Sequence, residues 1–152
     1  MDQDSTDLAT DGPAVILAAV DDSVTALRAA AYAVGLARRQ EARIVAVYVV
    51  PTASLAMASA QGAPIVAARR EIHGQVAREL AGQTGMKARE FGIPLQFVTA
   101  SGDAYREITR VAAELRPDAI VVGASLRAGH RLMGSLAVRL VRAGKWPVTV
   151  VP

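Results

Sequence analysis

The chain alternates between short apolar runs and longer segments in which apolar and polar residues recur at helical spacing. The first two runs, AVILAAV and RIVAVYVV, are apolar without interruption, which is typical of strands that are covered on both faces. Three shorter runs follow later in the chain. The five predicted strands are Ala14–Val20, Arg43–Val50, Leu95–Thr99, Ala119–Val122 and Val148–Val151.

The segments between these runs predict helices, because apolar residues recur there every three or four positions. Ser23 is the predicted N-cap of the first helix, and Asp103 is that of the third. The second helix is predicted over Pro64–Phe91 and the fourth over Ser135–Ala143, whereas residues 51–63 show no period and predict a loop. The side chains predicted to face inward are Leu27, Ala30, Ala31, Val34, Ala37, Ile65, Ile72, Val76, Leu80, Ile108, Val111, Ala112, Leu115, Leu136, Leu140 and Val141.

Strands and helices that alternate in this way predict an α/β domain with a parallel sheet. Its helices cover both faces, because the crossovers between parallel strands are right-handed. Ser101–Asp103 is interpreted as the turn after the third strand. The pattern of strands and helices leaves the order of the strands open.

Composition narrows the classes of function. A length of 152 residues suits one domain, and the absence of cysteine excludes disulfides, thiolate zinc sites and cysteine nucleophiles. An aromatic content of 4% argues against a nucleic-acid module that stacks bases on aromatic rings. Because the chain begins with an acidic, polar stretch and has no apolar run approaching the ~20 residues that span a bilayer, we expect a cytoplasmic protein without a membrane partner.

Charge is distributed unevenly along the chain. Residues 1–12 contain four aspartates and no Lys or Arg, which predicts a disordered acidic tail before a domain over residues 13–152. Between Gly123 and Lys145, by contrast, there are five basic residues and no acidic one. This basic stretch has two interpretations, a solvated helix face or a rim that attracts anions to a ligand loop.

Candidate chemistry lies where strands end, because open parallel sheets bind ligands at the carboxyl ends of their strands. Asp21 and Ser23 follow the first strand, and the segment from Gly123 to Ser135 follows the fourth. Around the end of the second strand lie Tyr48, Val49 and Val50. Gly134-Ser135 precedes a helix, where free amides suit phosphate, although such a pair is more often only a cap.

The chain lacks the residues that several classes of catalytic and binding site require. Neither GxGxxG after the first strand nor GxxxxGK[ST] is present, which argues against ordinary dehydrogenases and Walker-type ATPases. The two histidines, His73 and His130, lie far apart on different elements, so we expect no metal site. His73 is predicted to be an exposed helix residue. No serine has the context of a nucleophile elbow, and we predict no catalytic residue.

Three groups of residues together resemble the universal stress protein family. Val20-Asp21-Asp22-Ser23 is similar to the family's V-D-x-S opening after the first strand, and Ser101-Gly102-Asp103 to its turn after the third. The stretch from Val121 through Gly134-Ser135 to Trp146-Pro147 and the last strand resembles the family's C-terminal signature. The resemblance covers residues 14 to 152 and keeps the motifs in order and at the right distances.

The resemblance implies a doubly wound, Rossmann-like sheet of order 3-2-1-4-5. It also implies a homodimer that pairs through the last strand, with Val148 and Val150 in the interface, and a role in stress survival or regulation. Many members of the family bind ATP or a related adenine nucleotide such as AMP, with Mg²⁺ only as its companion ion. Carried over to this sequence, the implied nucleotide-binding residues are Asp21, Val49, Gly123, Ala124, Arg127, His130, Gly134, Ser135 and Leu136.

The glycine loop departs from the pattern of the members that bind nucleotide, G-x2-G-x9-G-[ST]. Leu126 stands at the second glycine, and only seven residues separate it from Gly134, so the loop is two residues short. A side chain there keeps the backbone away from the phosphates. The shorter spacing resembles the subfamily named for universal stress protein A, which lacks the nucleotide motif.

Three hypotheses about function follow. The first is a dimeric regulator whose nucleotide binding is weak, altered or absent. The second is a genuine ATP- or AMP-binding member that uses Arg127, His130 or Arg131 in place of missing backbone amides. The third is an enzyme such as an ATP hydrolase, against which the inventory of side chains argues, since it offers no evident general base beyond Asp21.

Overall fold

Strands and helices alternate along the chain as the sequence predicts. The computed structural model describes residues 12–52, 57, 59–125 and 136–152. Within these residues, five strands and four helices of eight residues or more make up the fold. In chain order they are β1 (Val15–Val20), α1 (Val24–Gln40), β2 (Arg43–Pro51), α2 (Ala63–Glu90), β3 (Leu95–Gly102), α3 (Ala104–Leu115), β4 (Ala119–Gly123), α4 (Leu136–Ala143) and β5 (Val148–Val151).

The five strands form one parallel sheet in the order β3-β2-β1-β4-β5, which confirms the predicted fold class and order. β1 lies at the centre, with Val20 beside Tyr48 of β2 and Ala18 beside Val121 of β4. The chain leaves β1 toward β2 on one side and later returns through β4 on the other. The carboxyl ends of β1 and β4 therefore flank the point where a doubly wound sheet opens a crevice.

The core has two layers, because alternate residues of each strand point to opposite faces. Ile16 and Ala18 pack with α1 and α2, whereas Leu17 and Ala19 pack with α3 and α4. Both layers consist mainly of Val, Ile, Leu and Ala side chains. The only aromatic residue buried below a tenth of its area in the described part of the chain is Tyr48.

The inward faces of two helices differ from the prediction. In α1, Leu27 is 41% exposed and Ala31 is also exposed, while Ala29 and Ala33 are fully buried. In α4, Val141 is 55% exposed. A helix can pack closely on a sheet through its smallest side chains, so that some larger side chains lie at the sides of the contact.

Helix α2 is longer than the strands that it covers. Its 28 residues span about 42 Å, whereas the nine residues of β2 span about 30 Å. Its fully buried residues, Leu80, Thr84 and Ala88, all lie in the C-terminal half. The prediction that Ile65 and Ile72 face inward is therefore wrong, because the N-terminal half extends beyond the sheet.

Three segment boundaries also differ from the sequence prediction. Ser101 and Gly102 belong to β3 and do not form a turn, although Asp103 caps α3 as predicted, its Oδ1 accepting from Arg106 N at 3.0 Å. Pro51 is the last residue of β2, and Thr52 begins a helical backbone within the predicted loop. No helix of the described part is long and apolar enough to cross a membrane.

Candidate functional site

A cavity of about 510 Å³ lies at the carboxyl ends of β1, β2 and β4. Its size is in the range of small-molecule sites, and its place in the sheet is where doubly wound folds bind ligands. The strands contribute apolar side chains that face α3 and α4, and Ile108 of α3 continues this apolar wall. The strand residues on the apolar wall are Ala19, Val47, Val49 and Val122.

The turn from β1 into α1 supplies the polar rim. Asp21 Oδ1 accepts a hydrogen bond from Ser23 N at 2.8 Å, and Ser23 Oγ accepts from Ala26 N at 3.1 Å as the predicted N-cap. The carboxylates of Asp21 and Asp22 are both exposed at the edge of the cavity. One oxygen of Asp21 thus holds the turn, while Oδ2 has no hydrogen bond from the described residues.

The end of β4 is fastened to the start of α1. The buried hydroxyl of Thr25 donates to Ala124 O at 2.8 Å, and Ala124 N donates to Val151 O at 2.7 Å. A Cβ on Gly123 would lie 2.5 Å from Thr25 C and 2.6 Å from Ala26 N. Gly123 is therefore required by the packing of β4 on the helix backbone, whether or not a phosphate approaches it.

An ion pair joins α3 and α4 beside the cavity, next to the lining residue Ala104. Arg139 Nη1 lies 3.3 and 3.2 Å from the two carboxylate oxygens of Asp103, and its guanidinium stacks 4.2 Å from the Tyr105 ring centre. The backbone hydrogen bond from Arg106 is the main cause that lowers the pKa of Asp103. Partial burial raises the pKa, but Arg139 lowers it further, so the net shift is downward. The capping carboxylate is thus held in its charged form.

We expect Asp103→Asn to weaken the fold in a pH-dependent way. Asparagine caps helices about as well as aspartate, so the variant removes the charge and keeps the cap. Because the pKa of Asp103 is lower in the folded chain than its ordinary 3.8, the stabilisation is complete above pH 3.8 and disappears as the pH falls through the folded value. Urea unfolding should show a deficit of about 0.5 kcal/mol at pH 7 that shrinks as the pH falls below 3.8. A deficit that is constant with pH would contradict this assignment.

Tyr48 and His73 form a buried contact on the other face of the sheet. Tyr48 Oη and His73 Nδ1 share a hydrogen bond of 3.1 Å, and burial raises the pKa of Tyr48, with smaller contributions from Asp22 and Asp21. His73 is half-buried, so the prediction that it is an exposed helix residue is wrong. Its contact ties α2 to the sheet and does not reach the cavity.

The structure brings together five of the nine residues that the sequence predicts for the site. Asp21, Val49, Gly123, Ala124 and Leu136 all line the cavity. The other four predicted residues lie outside the described part of the chain, and so does Arg131. These four are Arg127, His130, Gly134 and Ser135.

Sequence reasoning missed Thr25, Asp22 and Ile108, which also line the cavity. Thr25 has a recognisable position, since a hydroxyl two residues after an N-cap points back along the helix end. Nothing in the sequence shows that the acceptor of Thr25 is Ala124, 99 residues away. Ile108 belongs to the apolar face of its helix and gives no separate indication of a site.

The described lining of the cavity is acidic at its rim and neutral elsewhere. Asp21 and Asp22 are its charged side chains, and the hydroxyls of Ser23, Thr25 and Ser125 are the other polar ones. The described residues contain no group of three His, Asp or Glu side chains that would hold a metal ion. The arrangement suits a ligand with an apolar planar part and hydroxyl groups that a carboxylate can accept from.

Comparison with known proteins agrees with this geometry. A model of the universal stress protein family matches residues 14–152. A universal stress protein of Methanocaldococcus jannaschii is 29% identical over 143 residues, which cover 90% of this chain and 80% of that protein. A crystal structure from the same family, from Burkholderia pseudomallei, is 27% identical and covers 91% of this chain and 96% of that one, with a TM-score of 0.68.

Two more distant structures hold a nucleotide. A universal stress protein in complex with cAMP is 22% identical, covers 93% of this chain and 98% of that one, and has a TM-score of 0.67. A family protein of Arabidopsis thaliana with AMP bound is 17% identical, covers 91% of each chain and has a TM-score of 0.68. At these identities, the likeness to this chain is one of fold.

Proposed function

Because the chain belongs to the universal stress protein family, we propose that it is a dimeric stress-response regulator that binds an adenine nucleotide weakly in the cavity. The observation that carries the proposal is that Asp21 and Val49 line one cavity at the switch point of the sheet. The role is one of binding rather than catalysis, because the described lining offers carboxylates and hydroxyls but no His, Lys or Arg.

The nucleoside part of the proposed ligand contacts most of the described lining. The apolar wall around Val49 and Val122 accepts the flat face of adenine, and burial of that face stabilises the complex. In this proposal Asp21 Oδ2 accepts from a ribose hydroxyl, since Oδ1 already accepts a hydrogen bond from Ser23 N. Two relatives of the same fold carry cAMP and AMP, which are ligands with this nucleoside part.

A triphosphate is expected to bind more weakly than a monophosphate. Asp21 and Asp22 repel phosphate, and the basic residues that could offset this repulsion are Arg127, His130 and Arg131, which follow β4 in the sequence. Leu126 and the two missing residues reduce the backbone amides that a triphosphate needs. Gly123 gives no support for phosphate binding, since packing on α1 requires it in any case. AMP is thus the favoured ligand over ATP.

Thermal melting tests this proposal. We expect AMP at 5 mM to raise the melting temperature by about 3–6 °C, which corresponds to a ligand at ten times its Kd and about 1.4 kcal/mol. ATP with Mg²⁺ should give a smaller shift, and GMP is the control for the base. No shift with any adenine nucleotide at 5 mM would contradict binding. A larger shift with ATP than with AMP would support the alternative, in which basic residues after Leu126 hold the triphosphate.

The dimer is proposed through the free edge of β5. This strand pairs with β4 on one side only, and Val150 is 41% exposed along the open edge. An apolar edge strand pairs readily with a second copy unless it is covered.

Val150→Glu should remove the pairing through β5 and lower the mass of the assembly, because it places like charges opposite each other where two copies meet. Light scattering coupled to gel filtration measures the mass. Thr99→Glu is the matched control, since Thr99 is an exposed position on β3, the other edge strand. An unchanged mass for Val150→Glu would refute pairing through β5.

A further inference from the structure

We propose that one flank of α2 is a second self-association surface, which pairs in antiparallel orientation with the same flank of another copy of this chain. The large apolar side chains that α2 exposes are Ile65, Ile72 and Met86, at 39%, 56% and 63% exposure. Their spacings of 7 and 14 residues place all three on one side of the helix. Apolar residues that align along one side of a helix form a stripe that a second helix can cover.

The three residues belong to a longer seam with the spacing of a coiled coil. Starting from Ile65, steps of four and three residues alternate without a break to Met86, which keeps a stripe on one side of a helix. The seam runs beside the buried strip that packs on the sheet, and its members are exposed except for Val76, which is partly buried against the core. Its members are Ile65, Arg69, Ile72, Val76, Glu79, Gln83 and Met86.

The seam is complementary to itself when reversed. In an antiparallel pair with its two-fold axis beside position 74, residues at equal distances on either side of that position face each other. Ile72 then faces the partly exposed Val76 of the second copy, and Arg69 faces Glu79, so apolar residues meet at the centre and opposite charges meet outside them. Farther out, Ile65 faces Gln83, and Met86 lies at the end of the paired part. The symmetry repeats each contact twice, as in any two-fold interface. This charge complementarity selects a second copy of the chain as the occupant.

Arg69 and Glu79 do not pair with each other within one chain. Arg69 and Glu79 lie ten residues apart, about 15 Å along the helix, and cannot meet in one copy. Glu79 accepts a hydrogen bond from its neighbour Gln75 at 3.2 Å, and the ion pairs of the described residues do not include Arg69. The two charges of the seam are therefore available to a partner.

The position of α2 makes this surface independent of β5. The helix packs on β2 and β3, at the edge of the sheet farthest from β5. Its N-terminal half extends past the strands, so a second helix can lie along it without meeting the sheet. Two self-complementary surfaces at opposite edges join dimers into tetramers or longer assemblies.

A charge-swap experiment tests the seam. Sedimentation velocity at increasing protein concentration measures association in the Val150→Glu background, where the proposed β5 contact is removed. Arg69→Glu and Glu79→Arg should each weaken the remaining dimer by about tenfold, because each places like charges at two symmetry-related positions. The double variant Arg69→Glu/Glu79→Arg should restore the original affinity, since the charges are again opposite. Arg70→Glu, the same change off the seam, should leave the affinity unaltered.

The outcomes separate this inference from the proposed function. Single reversals that leave association unchanged, or a double variant that fails to recover it, would overturn the seam. If Val150→Glu leaves the mass unchanged, pairing through β5 is refuted. The same charge variants in the wild-type background then test the α2 seam. Circular dichroism confirms that each variant is folded, because the substituted positions are exposed. Nucleotide shifts are measured separately and do not enter the result.

Discussion

Gly123→Ala is expected to lower the free energy of unfolding by about 3 kcal/mol, at the upper end of the usual cost of overpacking. The added methyl would lie 2.5 Å from a backbone carbon of Thr25, and a backbone atom cannot turn away as a side chain can. Either β4 or the first turn of α1 must move, which stretches the hydrogen bond from Thr25 to Ala124 O. The melting temperature should fall by about 6–12 °C without any ligand present.

Gly82→Ala is the matched control for this substitution. Gly82 lies in α2, and a Cβ there would meet nothing within 4 Å, so alanine should be neutral or raise stability by up to about 1 kcal/mol. Urea unfolding of both variants measures the contrast. If Gly123→Ala is as stable as the wild type in the absence of nucleotide, the packing role assigned to this glycine is wrong and a role in binding ligand takes its place.

Val49→Trp is expected to abolish the thermal shift that AMP produces. Val49 lies on the apolar wall of the cavity, and an indole ring there occupies the volume proposed for adenine. The cavity of about 510 Å³ accepts the ring without displacing the core, so the stability of the free protein should change by less than about 1.5 kcal/mol. The shift at 5 mM AMP should fall from about 3–6 °C to less than about 1 °C.

Val141→Trp provides the comparison for the ring itself. Val141 lies on the exposed side of α4, outside the cavity lining, so the same substitution there should keep the full AMP shift. Retention of the shift in Val49→Trp would place the ligand elsewhere on the protein. Loss of the shift in both variants would point to a general effect of an added indole instead of a blocked site.

The sequence was informative where a residue's role depends on its neighbours along the chain. Apolar runs predicted all five strands, and the first two are uninterrupted because a strand buried on both faces has no polar side. Asp103 and Ser23 were predicted as caps from their position before a helix, and both accept from a backbone amide of the first turn. The rule that ligands bind at strand ends indicated Asp21 and the end of the second strand, the family resemblance singled out Val49 there, and both residues line one cavity.

Features that depend on tertiary contacts were not predictable in this way. In α1, apolar side chains occur nearly all round the helix, so the choice between Leu27 and Ala29 for the inner face depends on how closely the helix approaches the sheet. His73 looked like a surface residue because its partner, Tyr48, is 25 residues away on β2. Helix α2 extends beyond the sheet because it is longer than strand β2. The sequence of either segment alone does not show this difference in length.

Ala124 has both of its backbone groups occupied. Its N–H is bound to β5 through Val151, and its carbonyl is bound to α1 through Thr25. Whatever path residues 126–135 take, they therefore start from a fixed anchor that is shared by the central helix and the edge strand. A displacement of Ala124 would therefore disturb the first turn of α1 and the last residue of β5 together, because both depend on the same short piece of backbone.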